Sequence, residues 1–412
     1  MERSALWRER DVALIFGAGV VNDIGDWMLE IALPVYVYLE TGSGLKTAAV
    51  YVIELLVGVV LGPIGGSLAD RWPLRRTLLG TNVAQAVGLL PLLAVQPGRI
   101  WPVYLVTVIQ GVIRQLNDPA SFALLPRLVD DARLVELNSL LASGWAFSRL
   151  VGSPLGGAVV AVGGIKTVLV ADALTFVVAA IAITRISDRA EVLAAGGTAE
   201  EESTDTSVRA GIRVVRSLPP VAALVLVRGL AAIAFSAFPV IFIVFVADYL
   251  DGGGTEIGLI RGTSAFGGMV AAVVVGRVAK RFHPAQVMVV GYLSFFVIGL
   301  GFVNAVAVTT TFWVFLVLFG LTGFPNVTAS IGTTSTAQLL CPPAVRGRLA
   351  GLMGAAGSIG AGIGSIGAGL LLEVFSARVL FNAQTTTLGV AGVVGYLLVL
   401  RPVRADTPAA TP

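Results

Sequence analysis

A charged side chain at the centre of a bilayer costs about 2.5–3.5 kcal/mol on insertion scales, so every charge in an apolar stretch should face protein or water and have a reason to be there. Asp23, Asp26 and Glu30 fall in the first such stretch of this sequence and Glu54 in the second. Asp23 and Asp26 are three residues apart, which places them on one helical face beside Asn22. Arg114, Arg149, Arg228 and Arg261 lie in the fourth, fifth, seventh and eighth stretches.

To exchange a proton for another solute, a carboxylate must gain proton affinity when buried and lose it when water or a cation arrives, so that proton and cargo compete. Asp26 is the first candidate, Asp23 the second and Glu54 the third. Asp23 and Asp26 would share a proton and titrate jointly. Alternatively, Asp23 pairs with Arg114 or Arg228 merely to neutralise itself. Arg114 and Asp118 are four apart and can bridge along one helix. Either Arg114 competes for the acids of the first span, or it forms a self-contained pair with Asp118. Glu54 and Arg261 also read as structural charges, because both fall toward the outer third of their spans. Asn22, Trp27, Tyr36, Gln110, Trp145, Phe235, Phe238, Asn326, Thr333 and Gln338 could line a cavity, and each could equally serve helix packing.

The elements that position these residues follow from composition. The 412 residues are 56% hydrophobic and 13% charged, with 49 Gly, and 28 basic plus 25 acidic side chains cannot cover so much apolar surface in water. The chain reads as an all-α polytopic membrane protein. Its lone cysteine, Cys341, leaves no internal disulfide, and its lone histidine, His283, reads as a solvated interfacial residue; together they leave no zinc site or Cys/His nucleophile. No phosphate-binding loop occurs. The chain is therefore expected not to be an enzyme, to bind no nucleic acid and to need no cofactor.

Cutting at polar, Gly and Pro clusters predicts twelve spans, near 12–38, 47–69, 75–95, 101–124, 136–162, 166–186, 219–248, 256–279, 285–306, 311–338, 346–372 and 378–400. With both termini cytoplasmic, 20 of the 28 Lys and Arg lie inside, 4 outside and 4 within spans. A missed span would swap every later loop and destroy that bias. The first span lacks a small-residue cleavage site and is expected to be retained.

Residues 187–217 are polar and acidic, reading as a cytoplasmic linker between bundles at 1–186 and 218–412. The two halves match weakly: GSLADRWPLRR at Gly66–Arg76 aligns with GRVAKRFHPAQ at Gly276–Gln286, Pro34 with Pro239, and Pro119 with Pro325. In the same register Asp23 overlays Arg228 and Glu54 overlays Arg261. A parallel repeat of two six-helix bundles follows.

The segment Gly66–Arg76 also resembles the loop motif of the major facilitator superfamily, with Pro73 where a second Gly is usual. Gly25-Asp26, Pro119-Ala120 through Pro126, Leu137-Asn138-Ser139 and Gly152-Ser-Pro154-Leu-Gly156-Gly157 are similar to its drug-exporter branch, which includes macrolide efflux proteins and the enterobactin exporter. The resemblance implies a gate in which Gly66, Asp70, Arg71, Arg75 and Arg76 work with Arg346 and Arg348 at the start of span eleven. It implies that spans two with eleven, and five with eight, form glycine-rich seams between rocking halves. A proton-driven exporter of amphipathic small molecules in a bacterial cytoplasmic (inner) membrane is the expected function, powered by the proton gradient, with the lipid bilayer, protons and cargo as partners and a monomer sufficient. A dedicated lysophospholipid or metabolite transporter and a transport-inactive receptor are the alternatives.

Overall fold

The structure is a computed structural model describing residues 9–69, 73–124, 129, 133–186, 219–278, 282–341 and 346–402. Among these residues there is no β-strand. The helices are α1 (Arg10–Thr41), α2 (Gly44–Ala69), α3 (Leu74–Gly88), α4 (Trp101–Leu124), α5 (Leu134–Thr184), α6 (Pro219–Leu250), α7 (Gly254–Val278), α8 (Pro284–Asn304), α9 (Phe312–Leu321), α10 (Gly323–Leu340), α11 (Arg346–Leu371) and α12 (Ala377–Gly395). A 3₁₀ segment, Leu90–Ala94, extends α3, and a π-helical turn, Tyr396–Leu400, ends α12. Nine helical stretches among the described residues are long and apolar enough to cross a membrane. The expected linker at 187–217 lies outside the described residues.

Local chemistry explains most helix ends. Gly42 closes α1 at φ 60°, its N–H bonded to Tyr38 O at 2.8 Å, a left-handed cap that glycine adopts without strain. His283 starts α8 as part of a capping box: its Nδ1 accepts from Ala285 N at 3.2 Å while Gln286 Oε1 accepts from His283 N at 3.0 Å. His283, expected from sequence to be a solvated interfacial residue, is half-buried and also caps this helix. The spans expected at 136–162 and 166–186 run on through one helical stretch, broken at Gly164 (φ 67°, ψ −172°), a conformation essentially reserved for glycine.

Contacts divide the chain into two compact units, one formed by residues 1–200 and 252–262, the other by 201–251 and 263–412. In the first unit α1 lies along α5, and small residues permit the approach. A Cβ on Gly152 would sit 2.7 Å from Trp27 Cβ, and one on Gly156 2.9 Å from Met28 Cα. The first turns of α7 belong to this unit too: a Cβ on Gly258 would lie 2.6 Å from Ser153 O. Met28, Leu33, Val50, Leu92, Val106 and Phe176 fill the core above, with Val12, Leu74, Leu78, Leu137 and Ile183 forming a second cluster. Arg75 donates from Nη2 to Thr184 O at 2.8 Å, satisfying a carbonyl at the end of α5.

In the second unit α11 packs on α6, where a Cβ on Gly360 would meet Gly229 O at 2.6 Å. Phe238, Phe242, Phe245, Phe302, Phe315, Phe319 and Phe381 build an aromatic core, with ring centroids 5.1–6.5 Å apart. Large apolar side chains of both units also point outward, including Val60, Val83, Val162, Val297 and Trp313. Lipid, not water, is the medium such a surface suits.

Candidate functional site

The charges that sequence scatters over four spans come together in the first unit. Helical spacing puts Asn22, Asp26 and Glu30 at successive turns of one face of α1. Asn22 Nδ2 donates to Asp26 Oδ2 at 3.2 Å, and Arg114 Nη2 from α4 donates to Asp26 Oδ1 at 3.3 Å. One turn on, Glu30 Oε1 accepts from Arg261 Nη2 at 3.3 Å. Each guanidinium engages its acid through a single nitrogen instead of a two-pronged fork, leaving Arg114 Nε and Arg261 Nη1 buried without a hydrogen-bond partner among the described residues.

Glu54 of α2 joins Glu30, Gln110 and Arg114 around a small cavity of about 10 Å³, room for a single water molecule. Gln110 is buried, donating from Nε2 to Gln85 O at 2.9 Å with its Oε1 unpartnered among the described residues. Three carboxylates, those of Asp26, Glu30 and Glu54, thus meet two guanidinium groups. Among the described residues neither Asp23 nor Glu54 makes an ion pair.

Several expectations change here. Arg114 pairs with Asp26, not with Asp118, which is exposed one turn along the same helix. Asp26 is less exposed than Asp118, and an ion pair gains strength as its surroundings exclude water. Arg261, which overlays Glu54 in the repeat, pairs with Glu30. Arg149 has its guanidinium carbon 5.1 Å from the Trp27 ring centroid and 5.8 Å from that of Trp145, the two indoles standing edge to face at 5.3 Å.

The cavity candidates Phe235, Phe238 and Asn326 of the second unit are each half-buried. Phe238 stacks in the aromatic core and Phe235 packs against Phe295 at 5.4 Å; these are packing contacts driven by burial of aromatic area. Asn326 is half-buried on α10. Arg228 is exposed on α6, beside Gly357 of α11. Of the expected gate, Gly66 lies near the end of α2, Arg75 is bound to α5 and Arg76 is exposed; Asp70 and Arg71 lie outside the described residues, as do the side chains of Arg346 and Arg348.

Three features carry weaker sequence signals. Glu30 is an acid of the first span, and spacing along that span shows it no cation. Asp172 is an acid inside the sixth span, and an acid within an apolar run is itself a signal. Between α3 and α4, Thr81, Asn82, Gln85, Gln110 and Asn117 form a buried polar file, with Thr81 Oγ1 bonded to Asn117 Oδ1 at 2.8 Å. Its sequence signal is a polar residue every three to four positions on two neighbouring spans.

Helices with apolar outer surfaces and a partly enclosed cluster of acids and arginines among the described residues have the form of a membrane transporter. The sequence profile of the Major Facilitator Superfamily matches residues 15–241 and 224–411, and the chain belongs to that family. Macrolide efflux protein A of Streptococcus pyogenes is 22% identical over 391 residues, 93% of each chain. The enterobactin exporter EntS of Shigella boydii serotype 18 is 25% identical over 409 residues, 96% of this chain and 94% of its own. In fold, the chain is similar to a bacterial homologue of the iron transporter ferroportin in its inward-facing state, with a TM-score of 0.74 and 20% identity over 95% of this chain and 99% of that one.

Proposed function

We propose that this protein is a secondary active exporter that exchanges protons for amphipathic small molecules by alternating access in a bacterial cytoplasmic membrane. The Asp26–Arg114 pair carries the reading. A proton arriving on Asp26 removes the charge that holds Arg114, and its departure draws the guanidinium back, so the pair is an element with two arrangements that a proton can bias. The single-nitrogen contact and the excess of carboxylates over guanidinium groups suit such exchange. A cation of the cargo competing for Asp26 would link the two fluxes. Efflux-type relatives favour export.

We infer twelve spans with both termini in the cytoplasm. The nine apolar stretches become ten when Leu140–Thr184 is divided at Gly164, and α4 and α7, less apolar because they carry Arg114, Asp118 and Arg261, make the remaining two. One chain then holds both halves of the repeat, so a monomer suffices and the proton gradient is the only energy source required.

Proteoliposomes with an imposed pH gradient test this reading against cationic, neutral and anionic amphiphiles added in turn. One class should dissipate the gradient with the native protein and not with Asp26→Asn. Cargo movement without proton movement would refute antiport. Binding without any flux would identify a receptor.

A further inference from the structure

Asp172, in the second limb of α5, is fully buried at 0% exposure. Its Oδ2 has no hydrogen-bond partner among the described residues, and no guanidinium or ammonium group of those residues pairs with it. The charged groups whose fields reach it are Asp26 on α1 and Arg114 on α4, and Arg114 is already bound to Asp26.

Oδ1 lies 3.2 Å from the hydroxyl oxygen of Thr175. That hydroxyl has one proton, and Asp172 O accepts it at the shorter distance of 2.7 Å. When Asp172 carries a proton, its carboxylic O–H can donate to Thr175 Oγ1 across the longer contact. This pair backs directly onto Gly25: any Cβ there would collide with Asp172 Oδ1 and Thr175 Oγ1. Gly25 precedes Asp26 in the chain, so the helix that carries the Arg114-paired acid has its backbone pressed against a second acid that has no cation.

We propose that Asp172 is a second proton-binding site of this transporter, loaded and emptied in step with Asp26 through the Gly25 contact. It adds one proton per cargo molecule to what the Asp26 pair carries. Burial without a paired counter-ion makes the ionised form short-lived, and movement of α1 past Gly25 is what would open the carboxyl to water and let the proton leave. The inference rests on the proton-exchange reading above, yet its test has a readout that needs no cargo.

Infrared difference spectra of the purified protein, taken on raising the pH, should show a carbonyl band of a protonated carboxylic acid that is present in the native protein and in Asp26→Asn and lost in Asp172→Asn. Thr175→Val, which keeps the volume and removes the acceptor, should shift that band; this variant serves if Asp172→Asn does not fold. In proteoliposomes, Asp172→Asn should retain flux with a lower proton-to-cargo ratio. A band unchanged in both variants, or a native ratio in Asp172→Asn, would overturn the proposal. Should Asp26→Asn leave proton-driven flux intact, the role given to Asp26 fails, while the Asp172 band still decides this site independently.

Discussion

Arg114 Nη2 on α4 reaches across to Asp26 Oδ1 on α1 at 3.3 Å, although Asp118 stands one turn away on its own helix. Both partners keep partial access to solvent, with side-chain exposures of 32% for Arg114 and 23% for Asp26. The pair is thus in part open to water and in part enclosed.

Replacing Asp26 with Asn keeps the size and the contact with Asn22 but removes the charge. Proton-driven flux should fall by about tenfold or more, the factor matching loss of one charge-assisted hydrogen bond of about 1.5–3 kcal/mol. Circular dichroism should show unchanged helix content. Binding of a cationic cargo should be weaker in Asp26→Asn than in the native protein, which titration calorimetry would read.

Arg261 is nearly enclosed, with 7% side-chain exposure, and it holds Glu30. Arg261→Met alone should destabilise the protein by about 2–3 kcal/mol, because Glu30 loses its cation inside the protein. Adding Glu30→Gln should restore much of the loss. Thermal unfolding in detergent reads both steps, and a double variant no more stable than the single would show that the two residues are not coupled.

At Gly164 the backbone is held at φ 67° and ψ −172°, so Gly164→Ala should cost about 1–3 kcal/mol through strain alone. Gly156→Leu tests a different term, since the new side chain must push α1 away at Met28; about 1–3 kcal/mol or more is expected from overpacking. Both appear as lowered melting temperatures. A melting temperature unchanged in Gly156→Leu would contradict the close approach of α1 and α5.

Arg149 faces two indoles and no carboxylate of the described residues pairs with it. Arg149→Met should cost about 1 kcal/mol of cation–π attraction and alter tryptophan emission. In a Trp27→Phe background the emission change should shrink. An emission change of full size there would place the effect on another tryptophan.

Much of the architecture was legible in one dimension, because a bilayer demands runs of about 20 apolar residues and loops reveal themselves by Gly, Pro and charge. The break between the fifth and sixth stretches could be read from Gly163-Gly164, and the helix α4 from Trp101 to Leu124 was bounded correctly. The acids of α1 were also visible, since any charge in an apolar run stands out. Their partners were not. Spacing sees only neighbours on one helix, so it offers Asp118 to Arg114 and no partner to Glu30 or Arg261, whereas the pairs that form cross from α4 and α7 to α1. Hydropathy and periodicity are local properties, and from them alone follow membrane-embedded helices with charge inside apolar runs. Which acid meets which arginine, that Phe238 belongs to a packed aromatic core, and that Asp172 lies against Gly25 without a paired cation come from how the helices pack, because burial and distance between helices are not encoded in spacing along the chain.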